Sequence, residues 1–442
     1  MKYLCLFLML SLFGSGLQAQ SWTITEKSPM PEAVSNNAVC EGFVNGVPYV
    51  YSFGGIDTTK IYTGIHLRSY RYNTQTDVWE GIPPLPDTLG KIAAAASRIG
   101  DIIYIIGGYH VFANSEEASS NRVHRYDVVN NRYLEDGQPI PTPIDDQVQL
   151  VWKDSLIFVI TGWSNTRNVP LVQIYNPATD QWQSGTSTPN SSRYRSFGAS
   201  GSLLGDTIYY FGGASDIGSF SAQDEVRKGV INPDDPTQID WSRFDSSPEK
   251  TAYRASSTTI DSSVYWIGGS AISYNYNGLA YTNNNGVPPS RQILSLTPPS
   301  ETFQEENYDL LPMDLRGLAV TGERERYLAG GMQDGQEVSN RCFQLEWRGI
   351  STSVQTPKPD VALQLWPNPA TDYIWLESSK AASFPLNLQV RDENGRLIRE
   401  KEGWQAGDRL YIGDLAEGRF LIMTEDAQGR RQHFVLIHLH RP

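Results

Sequence analysis

The amino-acid sequence predicts an all-β protein, a ring of six four-stranded sheets followed by a small β-sandwich. The first ground is a repeat. An apolar strand ending in a glycine signal recurs at residues 49–55, 102–108, 157–162, 208–213, 264–269 and 326–331. Five copies end in Gly-Gly, and the third ends in Thr161-Gly162. The steps of roughly 50 to 60 residues match one supersecondary unit, which must stack on neighbours to bury its apolar face. The second ground is an aromatic pair at a constant interval: Tyr72 with Trp79, Tyr126 with Tyr133, and Tyr175 with Trp182. Leu296 and Phe303 keep that interval in the fifth repeat, while the fourth keeps Trp241 after an insertion around 232–236. Such pairs arise when a turn brings two strands side by side. The third ground is composition. The 38 Gly, 23 Tyr and 11 Trp supply tight turns and large anchors that favour strands.

Residues 1–19 read as a signal peptide. Met1-Lys2 opens with positive charge, an apolar run extends from Leu4 to Phe13, and small residues lead to Ala19. The run is too short to cross a bilayer as a helix, and no other stretch of the chain is long enough. Export leaves two cysteines in the mature chain, Cys40 and Cys342. They could be buried thiols or a disulfide fastening the first repeat to the last, and spacing alone does not choose between the two.

The repeats resemble the kelch family, whose units carry a Gly-Gly pair followed by a Tyr and a Trp at this interval. The resemblance covers residues 20–350 and implies a six-bladed β-propeller, each blade a four-stranded sheet. The sixth repeat stops after the strand at 342–347, without a final aromatic strand. Trp22-Thr23-Ile24-Thr25 at the start of the mature chain has that character, so the N-terminal strand is expected to close the last blade.

Residues 351–361 are rich in Ser, Thr and Pro and read as a linker. Residues 362–442 alternate like short strands, with a turn at Asn394-Gly395. Trp366-Pro367-Asn368-Pro369-Ala370-Thr371-Asp372, the turn from Asp392 to Arg396 and Leu415-Ala416-Glu417-Gly418 resemble the type A sorting domain of the type IX secretion system of Bacteroidetes. That resemblance implies a β-sandwich that engages the secretion machinery, with the protein secreted or held at the outer-membrane cell surface. The chain ends in His438-Leu439-His440-Arg441-Pro442, whereas the family usually ends in a basic strand. Strand alternation puts His438 and His440 on one face of a terminal strand, which reads as a solvated tail rather than a metal site.

A net charge of −13 excludes a general nucleic-acid binder and disfavours anionic membranes. In kelch rings the loops entering the innermost strands gather at one mouth with the loops after the glycine pairs. This implies a first candidate set of Asn37, Lys91, Gln147, Arg195, Arg254 and Arg316. The three arginines could converge on a carboxylate, since guanidinium offers a planar fork, or each could serve its own blade. The second set is Tyr109, His110, Trp163, Tyr274, Tyr276 and Tyr281, loop aromatics suited to sugar rings or peptide side chains. The Asn-rich segment 274–290 could cover the mouth. His66, His110 and His124 show no pairing that would hold copper, so no metal or cofactor is expected. The leading expectation is binding of an extracellular glycan or protein. A sugar-acid mutarotase, like the sialic-acid epimerases of this family, is the alternative that the arginines allow, and a structural surface component is a third.

Overall fold

A computed structural model describes residues 21–244, 250–348, 363–368, 370–378, 384–392, 396–426 and 431–439. The leader at 1–19, the linker at 351–361, the turn at Asn394-Gly395 and His440 lie outside the described residues. The chain divides into two compact units, with the boundary in the sequence at residues 349–350.

The first unit is a six-bladed propeller of antiparallel sheets. From the inside outward, blade 1 is Ala38–Val44, Val47–Ile56, Ile65–Asn73 and Val78–Ile82. Blade 2 is Ile92–Ile99, Ile102–Val111, Val123–Asp127 and Arg132–Tyr133, with Glu117–Ser119 added to its second strand. Blade 3 is Val148–Trp152, Leu156–Ile160, Val172–Asn176 and Gln181–Ser184. Blade 4 is Phe197–Leu204, Thr207–Ala214, Val226–Asn232 and Asp235–Arg243. Blade 5 is Ser256–Ile260, Ser263–Ile267, Gln292–Leu296 and Phe303–Asn307. Blade 6 takes Ala319–Val320, Glu325–Ala329 and Cys342–Arg348, and its outer strand is Ser21–Lys27 from the N-terminal end. There Trp22 pairs with Trp347 and Ile24 with Leu345. Arg341 adds a two-pronged bond to Glu26 at 2.8 and 2.7 Å.

Second strands read as unbroken apolar runs because both faces are buried. Phe158 and Ile160 pack with Ile208 and Tyr210 of blade 4, whereas Ile157 and Val159 pack with Tyr104 and Ile106 of blade 2. The aromatic interval is a cross-strand pair: Tyr72 opposes Trp79 and Tyr175 opposes Trp182, with ring centroids 5.2 and 4.9 Å apart. Tyr72 donates to Asp77 Oδ1 and Tyr175 to Asp180 Oδ1, both at 2.5 Å, fixing the turn between the strands. Trp79 Nε1 donates to Ser28 O, Trp182 Nε1 to Gln138 O and Trp241 Nε1 to Thr186 O, at 2.9, 2.7 and 2.8 Å. Each indole thus ties its blade to the chain leaving the preceding one.

The glycine pair is a close-packing requirement. A Cβ on Gly55, where φ is +111°, would lie 2.4 Å from Val34 Cγ2 and 2.8 Å from Ser35 O. Thr161 occupies the first position of the pair at φ 47°. Its hydroxyl takes Ser196 N–H at 2.9 Å and lies within 3.1 Å of the Val169 and Ser196 carbonyls, which compensates for the strained backbone.

The disulfide alternative is not realised: Cys40 and Cys342 are free, buried thiols. They belong to separate apolar clusters, Cys40 with Tyr51 and Ile103, and Cys342 with Tyr72 and Tyr327.

The second unit has a three-stranded sheet of Leu363–Trp366, Tyr373–Ser378 and Arg409–Tyr411. Its other sheet is four-stranded, in the order Leu397–Trp404, Leu386–Asp392, Gly418–Asp426 and Arg431–His438. Ile374, Leu388, Val390, Trp404, Ile422 and Leu436 fill its core. His438 is not part of a solvated tail. It is buried, with its ring nitrogens 3.0 Å from Ala416 O and 2.8 Å from Thr371 O, because the last strand packs against the loop after Trp366.

Candidate functional site

The six connections leading into the inner strands share one conformation. Asn36, Ala93, Asp146, Gly198, Arg254 and Asp314 have φ between 48° and 67°, in the left-handed region. Each non-glycine residue there costs on the order of 1 kcal/mol and persists only when its surroundings impose it. What imposes it is a circle of backbone hydrogen bonds. Ala93 N–H donates to Asn36 O, Asp146 N–H to Ala93 O, Gly198 N–H to Asp146 O and Arg254 N–H to Gly198 O, at 2.8–3.3 Å. Leu315 N–H to Arg254 O and Asn36 N–H to Asp314 O complete it, at 2.9 and 3.2 Å. These bonds form a collar that links all six blades.

Side chains from the collar cross the axis. Arg254 of blade 5 grips Asp146 of blade 3 through Nε and Nη2 at 3.1 and 2.7 Å, and donates to Asp314 of blade 6 at 2.9 Å. Arg316 of blade 6 donates to Gln147 O of the opposite blade 3 at 2.8 Å and lies 3.4 Å from Asp146. Arg254, Asp146 and Asp314 are 1%, 2% and 0% exposed, so the two carboxylates and two guanidiniums must balance one another in place of water. Burial opposes the Arg254 charge, yet Asp146, Tyr253 and Asp314 hold its pKa well above the ordinary arginine value. Burial pushes the Asp314 carboxyl up despite Arg254 and Ser35, and pushes Arg316 down.

Asp146 and Arg254 also line a cavity of about 90 Å³ together with Tyr109, Glu117, Asp145, Trp163, Phe197, Phe220 and Tyr281. Its aromatic walls meet edge to face: Trp163–Phe197, Trp163–Phe220 and Phe220–Tyr281 have centroids 5.4, 5.6 and 5.0 Å apart. Asp145 is fixed by reciprocal 2.9 Å backbone bonds with Trp163, and its Oδ2 accepts from Ser119 Oγ at 2.5 Å. Burial, reinforced by the charge of Asp146, raises the Asp145 carboxyl well above the usual carboxylate range. Glu117 is open to solvent on its outer side. Against the pocket its carboxyl is still raised by desolvation, with Arg254 pulling down and Asp146 pushing up. Burial likewise pushes the Tyr109 and Tyr281 phenols up.

The ring architecture has counterparts among known proteins. The solved structure of YjhT superposes with a TM-score of 0.57, covering 79% of this chain and 99% of that one at 13% identity. A Kelch-like protein terF of Aspergillus terreus is 27% identical over 203 residues, and Kelch-like protein 36 of Bos taurus is 25% identical over 200. These matches cover 44% and 45% of this chain, but only 41% and 30% of the relatives' own lengths. The first unit is a kelch-type propeller. Residues 364–438 match the secretion system C-terminal sorting domain, a type IX tail that directs export to the cell surface or the extracellular space.

Within the kelch propeller the expected site residues separate into groups. Tyr109, Trp163, Tyr281 and Arg254 line the pocket. Tyr274 is buried against Tyr253 with Arg254 5.7 Å from its ring, and Tyr276 packs with Tyr109 and Val111. His110 is held by Nδ1 at 2.8 Å from Gly90 O. Asn37 bonds Ser52 Oγ and Ala329 O at 2.8 and 3.2 Å, joining blades 1 and 6. Gln147 donates to Ile106 O at 3.0 Å, joining blades 3 and 2. Lys91 is buried 3.0 Å from Asp87, 3.1 Å from Ser120 Oγ and 3.1 Å from His124 Nε2, and burial lowers its pKa.

Of the three arginines, Arg254 and Arg316 meet on Asp146. Arg195 lies elsewhere, donating to Asn168 O at 3.2 Å and to Asp216 Oδ2 at 3.0 Å. The sequence reading passed over Glu117, Asp145, Asp146, Phe197, Phe220 and Asp314. One signal was available, since Asp146 stands immediately before Gln147 in the same connection. Among the described residues no three His, Cys, Asp or Glu side chains gather to hold a metal ion.

Proposed function

We propose that the exported propeller binds one neutral sugar residue of an extracellular glycan in its mouth pocket. The observation that carries this reading is the state of Arg254. Its charge is already matched by Asp146 and Asp314, so it offers little to an incoming anion. What remains is an aromatic wall suited to the apolar face of a sugar ring and two carboxyls suited to hydroxyl groups. At about 90 Å³ the pocket takes the edge or a side group of one sugar ring, the rest of the ring lying outside it, rather than an extended chain.

A glycan array followed by calorimetry on the mature chain tests this. Neutral hexose-ended glycans should bind, and Trp163→Ala and Tyr281→Ala should each weaken them by about tenfold or more. No neutral glycan bound, or binding indifferent to both substitutions, would overturn the reading. Asp145 and Glu117 support a second one, since two carboxyls whose pKa burial raises stand at one pocket as candidate proton carriers. NMR exchange spectroscopy separates the two: faster anomer exchange of a bound reducing hexose indicates catalysis, and unchanged exchange indicates binding alone.

A further inference from the structure

Arg195 belongs to a second cavity, distinct from the mouth pocket. It measures about 540 Å³, and Arg195 lines it with the hairpin carrying Asn165, Arg167 and Asn168 and with Asn190 from the connection between blades 3 and 4. No aromatic side chain lines it, so ring stacking is not its means of recognition. Its polar groups are guanidiniums, amides and hydroxyls. Asn168 is 1% exposed, and its Nδ2 donates to Ala214 O at 3.0 Å while its Oδ1 has no partner. Arg195 Nε is likewise buried without a partner, although Nη1 is engaged by Asp216.

Asp216 Oδ1 is unpartnered as well, so two acceptors and a donor at this cleft are buried with their hydrogen bonds unmade, which a bound polar molecule would supply. Arg167 and Arg195 line the cleft, no carboxylate lines it, and only Arg195 is paired, with Asp216 at 3.0 Å, so Arg167 gives it a positive charge on a chain whose total is −13.

We propose that this cleft is a second ligand site, for a sugar acid of monosaccharide size such as a hexuronic acid. The carboxylate meets the planar donor fork of Arg167 and the unpartnered Nε of Arg195, and the hydroxyls meet Asn168 and Asn190. Its specificity differs from that of the mouth because of Arg167: Arg195 is paired with Asp216 as Arg254 is with its carboxylates, whereas no ion pair engages Arg167 among the described residues. An exported protein with both sites could hold two points of one mixed polysaccharide, each adding to the effective concentration of the other.

The test is calorimetric titration of the full mature chain with glucuronate and galacturonate, set against glucose and galactose, at low and high salt. Uronates should bind with an affinity that falls as salt rises, and Arg167→Gln should weaken them by about tenfold. Arg167 is exposed, so this variant keeps its fold, whereas Arg195→Gln could disturb the bond to Asp216. Tyr281→Ala should leave uronate binding unchanged, which keeps the outcome separate from that of the mouth. Absence of uronate binding up to about 10 mM would overturn the proposal. So would uronate binding that is lost in Tyr281→Ala but kept in Arg167→Gln.

Discussion

Arg254 answers Asp146 and Asp314 at once, beside the rings of Tyr253 and Tyr274. Arg254→Ala strands two buried carboxylates, and the expected loss is about 3–5 kcal/mol of unfolding free energy, read by urea denaturation. Asp145 gives a prediction of a different kind. Its folded pKa is raised above the unfolded value, so the folded state binds the extra proton more tightly. The resulting stabilisation is full below the unfolded carboxylate range and is lost as pH rises through the raised folded value. Asp145→Asn keeps an acceptor for Ser119 but cannot ionise. Between pH 5 and pH 8 its melting temperature should therefore fall less than that of the parent protein, and an equal or larger fall would contradict the assignment.

At the scale of the strand, the aromatic pair performs two tasks that the spacing alone did not distinguish. Tyr72 locks its own turn through Asp77, while Trp79 reaches Ser28 O in the chain that leaves the blade 6 outer strand. Trp79→Phe retains the ring and removes the N–H, so it should cost about 1 kcal/mol. Chemical denaturation should show it as a lowered midpoint with an unchanged slope. Thr161 teaches the converse lesson. The glycine signal is a demand for left-handed backbone at close quarters, and a side chain can meet it where its hydroxyl finds partners, here the Ser196 N–H and the Val169 and Ser196 carbonyls.

For the whole ring, the vulnerable place is the seam, which is held without a covalent bond. Trp22 packs against Trp347 and Tyr265 with centroids 5.2 and 5.3 Å away, and it anchors the strand that pairs the two ends of the propeller sequence. Trp22→Ala should therefore cost about 3–5 kcal/mol and lower the melting temperature of the propeller. Because Cys40 and Cys342 are free, a reducing agent should leave that temperature unchanged, and a marked drop would show that the two thiols pair in solution.

The sequence by itself determined the repeat, the number of sheets and the character of the C-terminal domain. Each of these rests on local chemistry: apolar runs buried on both faces, glycine signals where backbones nearly touch, and aromatic partners brought together by one turn. Tertiary structure alone decided which residues meet at the mouth. Glu117, Asp145, Phe220, Arg254 and Tyr281 come from four blades, 2 to 5, and a displacement of one to three positions within a connection changes what faces the axis. Gln147 was singled out where Asp146 points inward, and Arg195 where Gly198 holds the collar position. The physical reason is that the collar is set by hydrogen bonds between neighbouring connections, which have no counterpart in the order of residues along the chain.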